Sequence, residues 1–233
     1  MALKFWTYLK TDKYNIGLTS KAVYVFDKQG NEVTKFSDLN YAHHGCVSHN
    51  QDLLVIKSTE GRIAVYSLEK LVLIKKFRFS KIDGGQDDNF IFSPDDKYLY
   101  NIECHVSSTK TSLSIYRTSD FSLEKRLFDE DDKLVLSWIE YDKCTDDYYL
   151  LGFLRDPKSG AASEFFVTRL CEDKLQDMKF IKESTYFSWS MAKSVEFSEF
   201  TEESYKWMFA LKNIPLDEIK SKDLSLADLW KKA

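Results

Sequence analysis

Residues 92–100 read FSPDDKYLY, and this stretch decides the fold. An apolar strand ends at residues 90–92, a polar turn follows at residues 93–96, and a second strand begins at residue 97. Pro favours such a turn because it fixes φ, and Ser and Asp favour it because their side chains hydrogen-bond to the nearby backbone. One hairpin of this kind fits many β proteins, whereas a repeated hairpin would determine the architecture.

The same hairpin pattern recurs at residues 6–16, 47–56, 139–151 and 196–208. Each copy has an apolar strand end, a polar turn with Asp, Glu or Asn, and a second apolar strand. The second strands are marked by Tyr14, Leu53, Tyr98, Tyr148 and Tyr205, which lie 39, 45, 50 and 57 residues apart. FSPDDKYLY is therefore one copy of a repeat.

Two further strands follow each of the first four hairpins. The third strands read AVYVFDK, RIAVYSL, LSIYRT and EFFVTRL, and the charged fourth strands read NEVTKF, LVLIKKF, SLEKRLF and DMKFIKE. Four antiparallel strands in a period of roughly 40–50 residues are the spacing of a β-propeller blade.

The sequence resembles the WD-repeat-like and YVTN-like β-propeller proteins over about residues 3–210. FSPDDKYL with LSIYRT, and NQDLLV with IAVYSL, are similar to the FSPDGK-L hairpin and V-VYD third strand of those families. The chain lacks their Trp-Asp dipeptide and Gly-His pair, and Asp96 stands in the place of their turn Gly. The resemblance implies an all-β fold, a β-propeller of four-stranded antiparallel blades.

The repeat predicts about five blades, of which the last is incomplete. Residues 191–200 (MAKSVEFSEF) and 205–213 (YKWMFALKN) begin a fifth blade, but no clear third and fourth strands follow. We therefore expect a propeller domain over residues 1–213 and a helical tail over residues 214–233.

The tail carries the pattern of a short C-terminal helix. Ser225 is a suitable N-cap with Asp228 three residues later, and Leu226, Leu229 and Trp230 share one helix face. Two interpretations remain open. In the first, the helix packs on the ring and covers its open edge, because an exposed edge strand invites aggregation. In the second, the helix docks on a partner.

Composition excludes several classes of protein. The net charge of −4 and pI near 5.7 disfavour a nucleic-acid binder, which would carry a basic surplus. The longest apolar runs span about five residues, too few for a membrane-spanning helix. The first residues show no export signal. We therefore expect a cytoplasmic protein whose widely spaced cysteines are reduced thiols. They are Cys46, Cys104, Cys144 and Cys171.

No cluster predicts a metal, a cofactor or a catalytic site. His43, His44 and Cys46 lie in one strand, where His43 faces away from the other two, and a structural zinc needs about four convergent ligands. No G-x-S-x-G motif or phosphate-binding glycine loop occurs. The acidic pairs fall in the repeated hairpin turns, where Asp is favoured for backbone reasons.

The loops that join one blade to the next give the strongest functional signal. In a propeller these loops emerge on one face, and here we expect an acidic sector beside an aromatic sector. Exposed aromatic residues with an acidic surround suit a protein partner that carries Lys or Arg. The predicted partner-binding residues are Asp83, Asp87, Asp88, Asp129, Glu130, Asp131, Asp132, Tyr41, Tyr186, Phe187 and Trp189. The competing interpretation is that the acids are solvated and the aromatic residues belong to the core.

The sequence thus favours a non-catalytic protein-binding module. The sharper hypothesis, drawn by analogy, is a bacterial immunity protein of the contact-dependent inhibition type. Such a protein would neutralise a basic, nuclease-like toxin domain by filling its cleft with the acidic loops. Two alternatives stay open: a scaffold or assembly subunit of a larger complex, and a propeller hydrolase. The hydrolase is disfavoured because the predicted innermost strands show no acid–base pair.

Overall fold

The computed structural model describes residue 5 and residues 7–79, 89–105, 110–156, 158–196 and 225–233. In these residues the chain forms four antiparallel sheets of four strands each, ordered as they occur in sequence. The first sheet comprises β1 (Thr7–Lys10), β2 (Asn15–Leu18), β3 (Val23–Phe26) and β4 (Glu32–Phe36). The second comprises β5 (Ala42–Val47), β6 (Leu53–Ser58), β7 (Arg62–Ser67) and β8 (Val72–Arg78).

The remaining two sheets complete the set of four. The third comprises β9 (Phe90–Phe92), β10 (Tyr98–His105), β11 (Lys110–Arg117) and β12 (Leu123–Leu127). The fourth comprises β13 (Leu134–Asp142), β14 (Asp147–Arg155), β15 (Ala162–Cys171) and β16 (Lys174–Ile181). The strand, turn, strand, loop, strand, turn, strand order predicted for each period is confirmed in all four sheets, which we call blades one to four.

Two helices follow the last blade in the described part of the chain, α1 (Glu183–Glu196) and α2 (Leu226–Lys232). None of the described helices is long and apolar enough to span a bilayer. The chain divides into two compact units, and the boundary crosses β11 and the end of β12. The first unit holds blades one and two and most of blade three, and the second holds Lys110–Leu113, Leu127, blade four and both helices.

In the first unit, two apolar clusters hold successive blades together. Leu54 and Ile56 of β6 join a cluster with blade one, whereas Val55, which lies between them, joins a cluster with blade three. Successive strand residues point to opposite faces of a sheet, so a strand covered on both faces reads as a continuous apolar run. All three side chains are fully buried.

The outermost strands are bulged. In blades one, two and four the register between the third and fourth strands shifts directly after Val25, Val65 and Val167, respectively. A bulge interrupts the row of edge hydrogen-bonding groups and so hinders pairing with another chain. This feature protects edge strands that carry exposed apolar side chains such as Val33 and Ile74.

The prediction for residues 183–196 was wrong in its secondary structure. A loop over residues 183–190 and the start of a fifth-blade strand were expected, but α1 occupies both. The helix places Tyr186 and Trp189, three residues apart, on one face, and both are buried against blade four. The rest of the predicted fifth blade, from residue 197 to residue 213, lies outside the described residues.

Candidate protein-binding loops and buried polar clusters

The loop over residues 128–133, between β12 and β13, carries four consecutive acids as predicted. Two of them have structural roles. Asp131 Oδ1 accepts hydrogen bonds from Lys133 N at 2.9 Å and Leu134 N at 3.2 Å, which fixes the start of β13. Asp132 forms an ion pair with Lys110.

The other two acids of this loop, Asp129 and Glu130, are exposed to solvent. The pKa of Lys110 is raised chiefly by its bond to Asp132, and the charges of Glu130 and Asp129 add to the effect. The loop therefore keeps a negative field beyond the one internal ion pair. Asp129 and Glu130 are the carboxylates best placed to meet a partner's cations.

Tyr41 is the exposed aromatic residue of the predicted set. It lies in the loop between β4 and β5, and its side chain is 53% exposed. Its backbone has φ 52, a left-handed conformation that costs a non-glycine residue about 1–2 kcal/mol. Tyr41 N donates to Ser20 O at 2.6 Å, and Tyr41 O accepts from Thr59 N at 3.3 Å. These two bonds hold the backbone of Tyr41 in place, and its ring is exposed to solvent.

The other three predicted aromatic residues belong to α1 and pack on blade four. Tyr186 and Trp189 are 7% and 6% exposed, so they are core residues and not an exposed aromatic sector. The Tyr186 ring lies 4.7 Å from that of Phe165, and Trp189 packs edge-on against Trp138 at 5.6 Å. Phe187 is half-buried against Phe165. Asp83, Asp87 and Asp88 lie outside the described residues.

The histidine and cysteine stretch of β5 does not assemble a metal site. Across the described ranges, no three His, Cys, Asp or Glu side chains converge in a way that could hold a metal ion. Burial raises the pKa of the Cys46 thiol well above its usual value, and the Asp96 charge adds to this. Cys46 is therefore a neutral thiol that packs on the second apolar cluster.

A buried ionic cluster in blade three was not predicted. The Glu103 side chain is fully buried in β10 and accepts hydrogen bonds from Tyr116 Oη at 2.7 Å and Arg126 Nη2 at 3.0 Å. Asn101 Nδ2 lies 3.3 Å from the same carboxylate, and Arg126 Nε donates to Ser114 Oγ at 3.0 Å. The sequence signal is weak, since Glu103 and Arg126 read as ordinary charged residues of amphipathic strands.

The hairpin turns are joined from blade to blade. Asp96, in the turn before β10, accepts hydrogen bonds from His49 N and Asn50 N of blade two, each at 2.9 Å. Gln51 Oε1 of that blade accepts in turn from Asp12 N of blade one at 2.7 Å. Asp96 has φ 55, the conformation for which related hairpins use Gly. Asp96 thus takes the turn position of a glycine and, through its carboxylate, links blade three to blade two.

Comparisons with known proteins place the fold. No protein-family profile and no curated protein sequence matches the chain. Among solved structures, hydrazine synthase of Kuenenia stuttgartiensis superposes with a TM-score of 0.58 at 13% identity, over 75% of this chain and 51% of that one. U3-55K superposes with a TM-score of 0.54 at 12% identity, over 75% and 51% of the two chains.

The WD40 repeats of RRP9 give a TM-score of 0.54 at 10% identity, over 78% of this chain and 52% of theirs. The chain thus spans about half the length of the structures it matches. At such low identity the likeness concerns the fold alone. Together with the four sheets, it shows a fold of four-stranded antiparallel blades similar to that of the matched WD40 structures, as the sequence predicts.

Proposed function

We propose that this protein is a non-catalytic protein-binding module that docks a basic partner on the loop over residues 128–133. The observation that carries the proposal is the exposure of Asp129 and Glu130 beside the ion pair of Asp132 with Lys110. Exposed charges of one sign accelerate encounter with a partner of the opposite sign and favour the correct orientation. Tyr41, whose ring is exposed on the first unit, is a separate candidate contact because aromatic residues dominate binding energy at interfaces.

The sharper form of the proposal is an immunity protein that neutralises a nuclease-like toxin domain. A protein that cleaves nucleic acid needs a basic cleft to hold phosphates, and an acidic loop is the complementary surface. The alternative of an assembly subunit joined through the C-terminal helix is less favoured, because α2 packs on blade four of its own chain. A hydrolase would need an acid–base pair, and neither the acidic loop nor Tyr41 supplies one.

The test begins with an affinity purification of the tagged protein from its native cells. A stoichiometric basic partner is expected. Asp129→Lys combined with Glu130→Lys should weaken binding to that partner by at least about tenfold, because attraction becomes repulsion. The melting temperature should not change, since neither side chain is buried.

The matched control reverses two exposed carboxylates elsewhere, Glu32→Lys with Glu69→Lys, and should leave affinity nearly unchanged. Equal affinity for the loop variant and wild type would rule out this loop as the site. If the partner is toxic when expressed alone and harmless with this protein, the immunity hypothesis is supported. Recovery of a large multi-subunit complex would favour the assembly role instead.

A further inference from the structure

In two blades of the first unit, the turn between the third and fourth strands carries a large apolar residue in a left-handed backbone conformation. Leu71 in the β7–β8 turn and Phe121 in the β11–β12 turn both have left-handed backbones, with φ 53 and 52. Residues other than Gly are disfavoured in this conformation, so the contacts of Leu71 and Phe121 must hold them in it. Leu71 packs on the apolar cluster between blades one and two, and Phe121 belongs to the cluster between blades two and three. Each turn residue thus seals the interface with the preceding blade.

The blade that receives Phe121 supplies a lysine at a definite register position. Lys75 pairs with Val65 next to the bulge of β8, and its Nζ donates to Asp120 O in the turn that carries Phe121. The ring of Phe77 lies 6.4 Å from that of Phe121. The Lys75 ammonium thus binds the carbonyl oxygen of Asp120, the residue directly before Phe121.

Blade four repeats this arrangement, but a helix takes the place of the turn. Lys179 pairs with Val167 next to the bulge of β16, the register position of Lys75 in blade two. Its Nζ donates to Trp230 O of α2 at 2.8 Å and lies 4.3 Å from the centre of the Trp230 ring. Trp230 Nε1 donates to Asp177 O at 2.8 Å, and Asp177 is a bulge residue with φ 52.

Further contacts complete the site around the indole ring. The Tyr149 ring lies 5.9 Å from that of Trp230, and the Arg169 guanidinium lies 5.7 Å from its centre. The start of α2 is fixed separately, since Leu226 N donates to Glu140 Oε2 at 2.7 Å and Ser225 forms a capping box with Asp228. The cations favour the electron-rich face of an indole, which is the best aromatic partner for them.

Both helices lie on one face of blade four. Tyr149 and Phe153 alternate along β14 and so share a face, and register places Trp138 of β13 on the same side. Tyr186 and Trp189 of α1 contact Phe153 and Trp138, respectively. Tyr149 contacts α2. The two helices therefore cover the same face of blade four.

We propose that blade four carries a docking site for a tryptophan-bearing helical peptide, which the protein fills with its own α2. The site comprises Tyr149, Arg169, the Asp177 carbonyl and Lys179, and we call it the Trp230 site. Trp230 acts there as Phe121 acts at the interface of blades two and three. The start of α2 is held by the Leu226 N–Glu140 hydrogen bond and by the buried side chains of Leu226 and Leu229, whereas the contacts with Lys179 and Asp177 belong to Trp230 alone. Loss of the Trp230 side chain therefore weakens docking enough for a second copy of the helix to compete for the site.

Hydrogen exchange of the full-length protein tests this proposal first. Trp230→Ala and, separately, Lys179→Ala should accelerate exchange of the α2 amides and of β14 and β15 amides under them by about tenfold or more, the ratio that corresponds to roughly 1.4 kcal/mol. Lys231→Ala, an exposed neighbour in the same helix, is the control and should change nothing. Unchanged exchange in the Trp230→Ala protein would overturn the proposal.

A peptide of residues 225–233 provides the second measurement. It should bind the full-length Trp230→Ala protein and bind wild type at least about tenfold more weakly, because a tethered helix competes at an effective concentration of about millimolar. The same peptide with Trp230→Ala should bind neither protein. Two outcomes would show that no tryptophan-specific site exists. One is equal binding of the two peptides to the Trp230→Ala protein. The other is that adding Lys179→Ala to either protein leaves its binding of the Trp230 peptide unchanged.

Discussion

At the scale of single residues, Asp96 shows how a turn position acquires a second role. Its backbone conformation is one that glycine adopts at little cost. Its carboxylate, however, accepts two backbone hydrogen bonds from blade two, which glycine could not do. Burial alone raises the pKa of the Asp96 carboxyl, but these bonds and the contact with the His49 ring outweigh it and hold the pKa below its usual value.

Asp96→Asn should lower the free energy of unfolding by about 1–3 kcal/mol, because charge-assisted hydrogen bonds to two amides are weakened. Asp95→Asn, in the same turn but bonded locally to Ser93 and Lys97, is the matched control and should cost less. Urea denaturation at pH 7 measures both. A larger loss for Asp95→Asn would contradict the assignment of Asp96 as the link between blades.

The pH dependence of the same pair follows from the lowered pKa of Asp96. A carboxyl whose pKa is lower in the folded state stabilises the protein above the unfolded pKa of about 3.9, and that contribution is lost as pH falls through the folded value. The stability difference between wild type and Asp96→Asn should therefore shrink below about pH 4. Denaturation curves from pH 7 to pH 3 test this, and a difference that grows at low pH would contradict it.

The Glu103 cluster makes a sharper prediction about charge. Arg126→Ala leaves a fully buried carboxylate without its cation, which typically costs about 3–5 kcal/mol, although half-exposed Arg126 places the expected loss at the lower end. Glu103→Gln removes the charge while keeping a hydrogen-bond acceptor for Tyr116, so it should cost less. Urea denaturation of both variants compares them. A larger loss of stability for Glu103→Gln than for Arg126→Ala would show that the buried Glu103 charge does not depend on Arg126.

At the scale of secondary-structure elements, α1 is the main departure from the repeat. The sequence indicated a loop and a strand here because the segment lies between the fourth blade and the fifth copy of the repeated hairpin at residues 196–208. The helix forms because it lets Tyr186 and Trp189 bury together on blade four, and Tyr186 Oη lies 2.7 Å from Ser137 Oγ. Tertiary packing decides such segments over local propensity.

Trp189→Ala should destabilise the protein by about 3–5 kcal/mol, because it removes a buried aromatic side chain and leaves a cavity beside Trp138. Phe187→Ala, at a half-buried position two residues earlier in the same helix, should cost distinctly less. Thermal denaturation followed by circular dichroism measures both. If the two variants lost equal stability, the burial assigned to the two faces of α1 would be wrong.

At the scale of the whole molecule, the sheets supply a scaffold and the loop over residues 128–133 supplies a local concentration of negative charge. The net charge of −4 is small, but the loop over residues 128–133 concentrates several carboxylates on a rigid scaffold. Loops that carry function on a rigid sheet scaffold are common in all-β proteins. The propeller fold itself does not determine what is bound, so the partner must be established by binding experiments.

The association rate with a basic partner should fall steeply as salt is added. The Debye length is about 10 Å at 0.1 M ionic strength, so exposed loop charges steer a partner well only at low salt. Stopped-flow or surface-based kinetics from about 0.02 to 0.5 M salt would measure the slope. The Asp129→Lys, Glu130→Lys protein should show a flat or inverted slope, and a slope equal to that of wild type would contradict steering by this loop.

The sequence by itself determined the repeat. Apolar alternation and polar turns are local properties, so they predict strand order, hairpin positions and the acidic loop at residues 128–133 without any knowledge of long-range contacts. The capped helix after Ser225 is equally local, and its N-cap was predicted correctly. Even the departure from the family pattern at Asp96 was visible as a residue, although its purpose was not.

Only the tertiary structure decided which side chains face solvent and which partners meet. Tyr41 is exposed whereas Tyr186 and Trp189 are buried, yet all three read alike in sequence. Glu103 with Arg126, Asp96 with His49, and Lys179 with Trp230 join residues 23, 47 and 51 positions apart. Burial and pairing of this kind depend on how blades and helices pack, and no local pattern encodes which distant residue will arrive opposite.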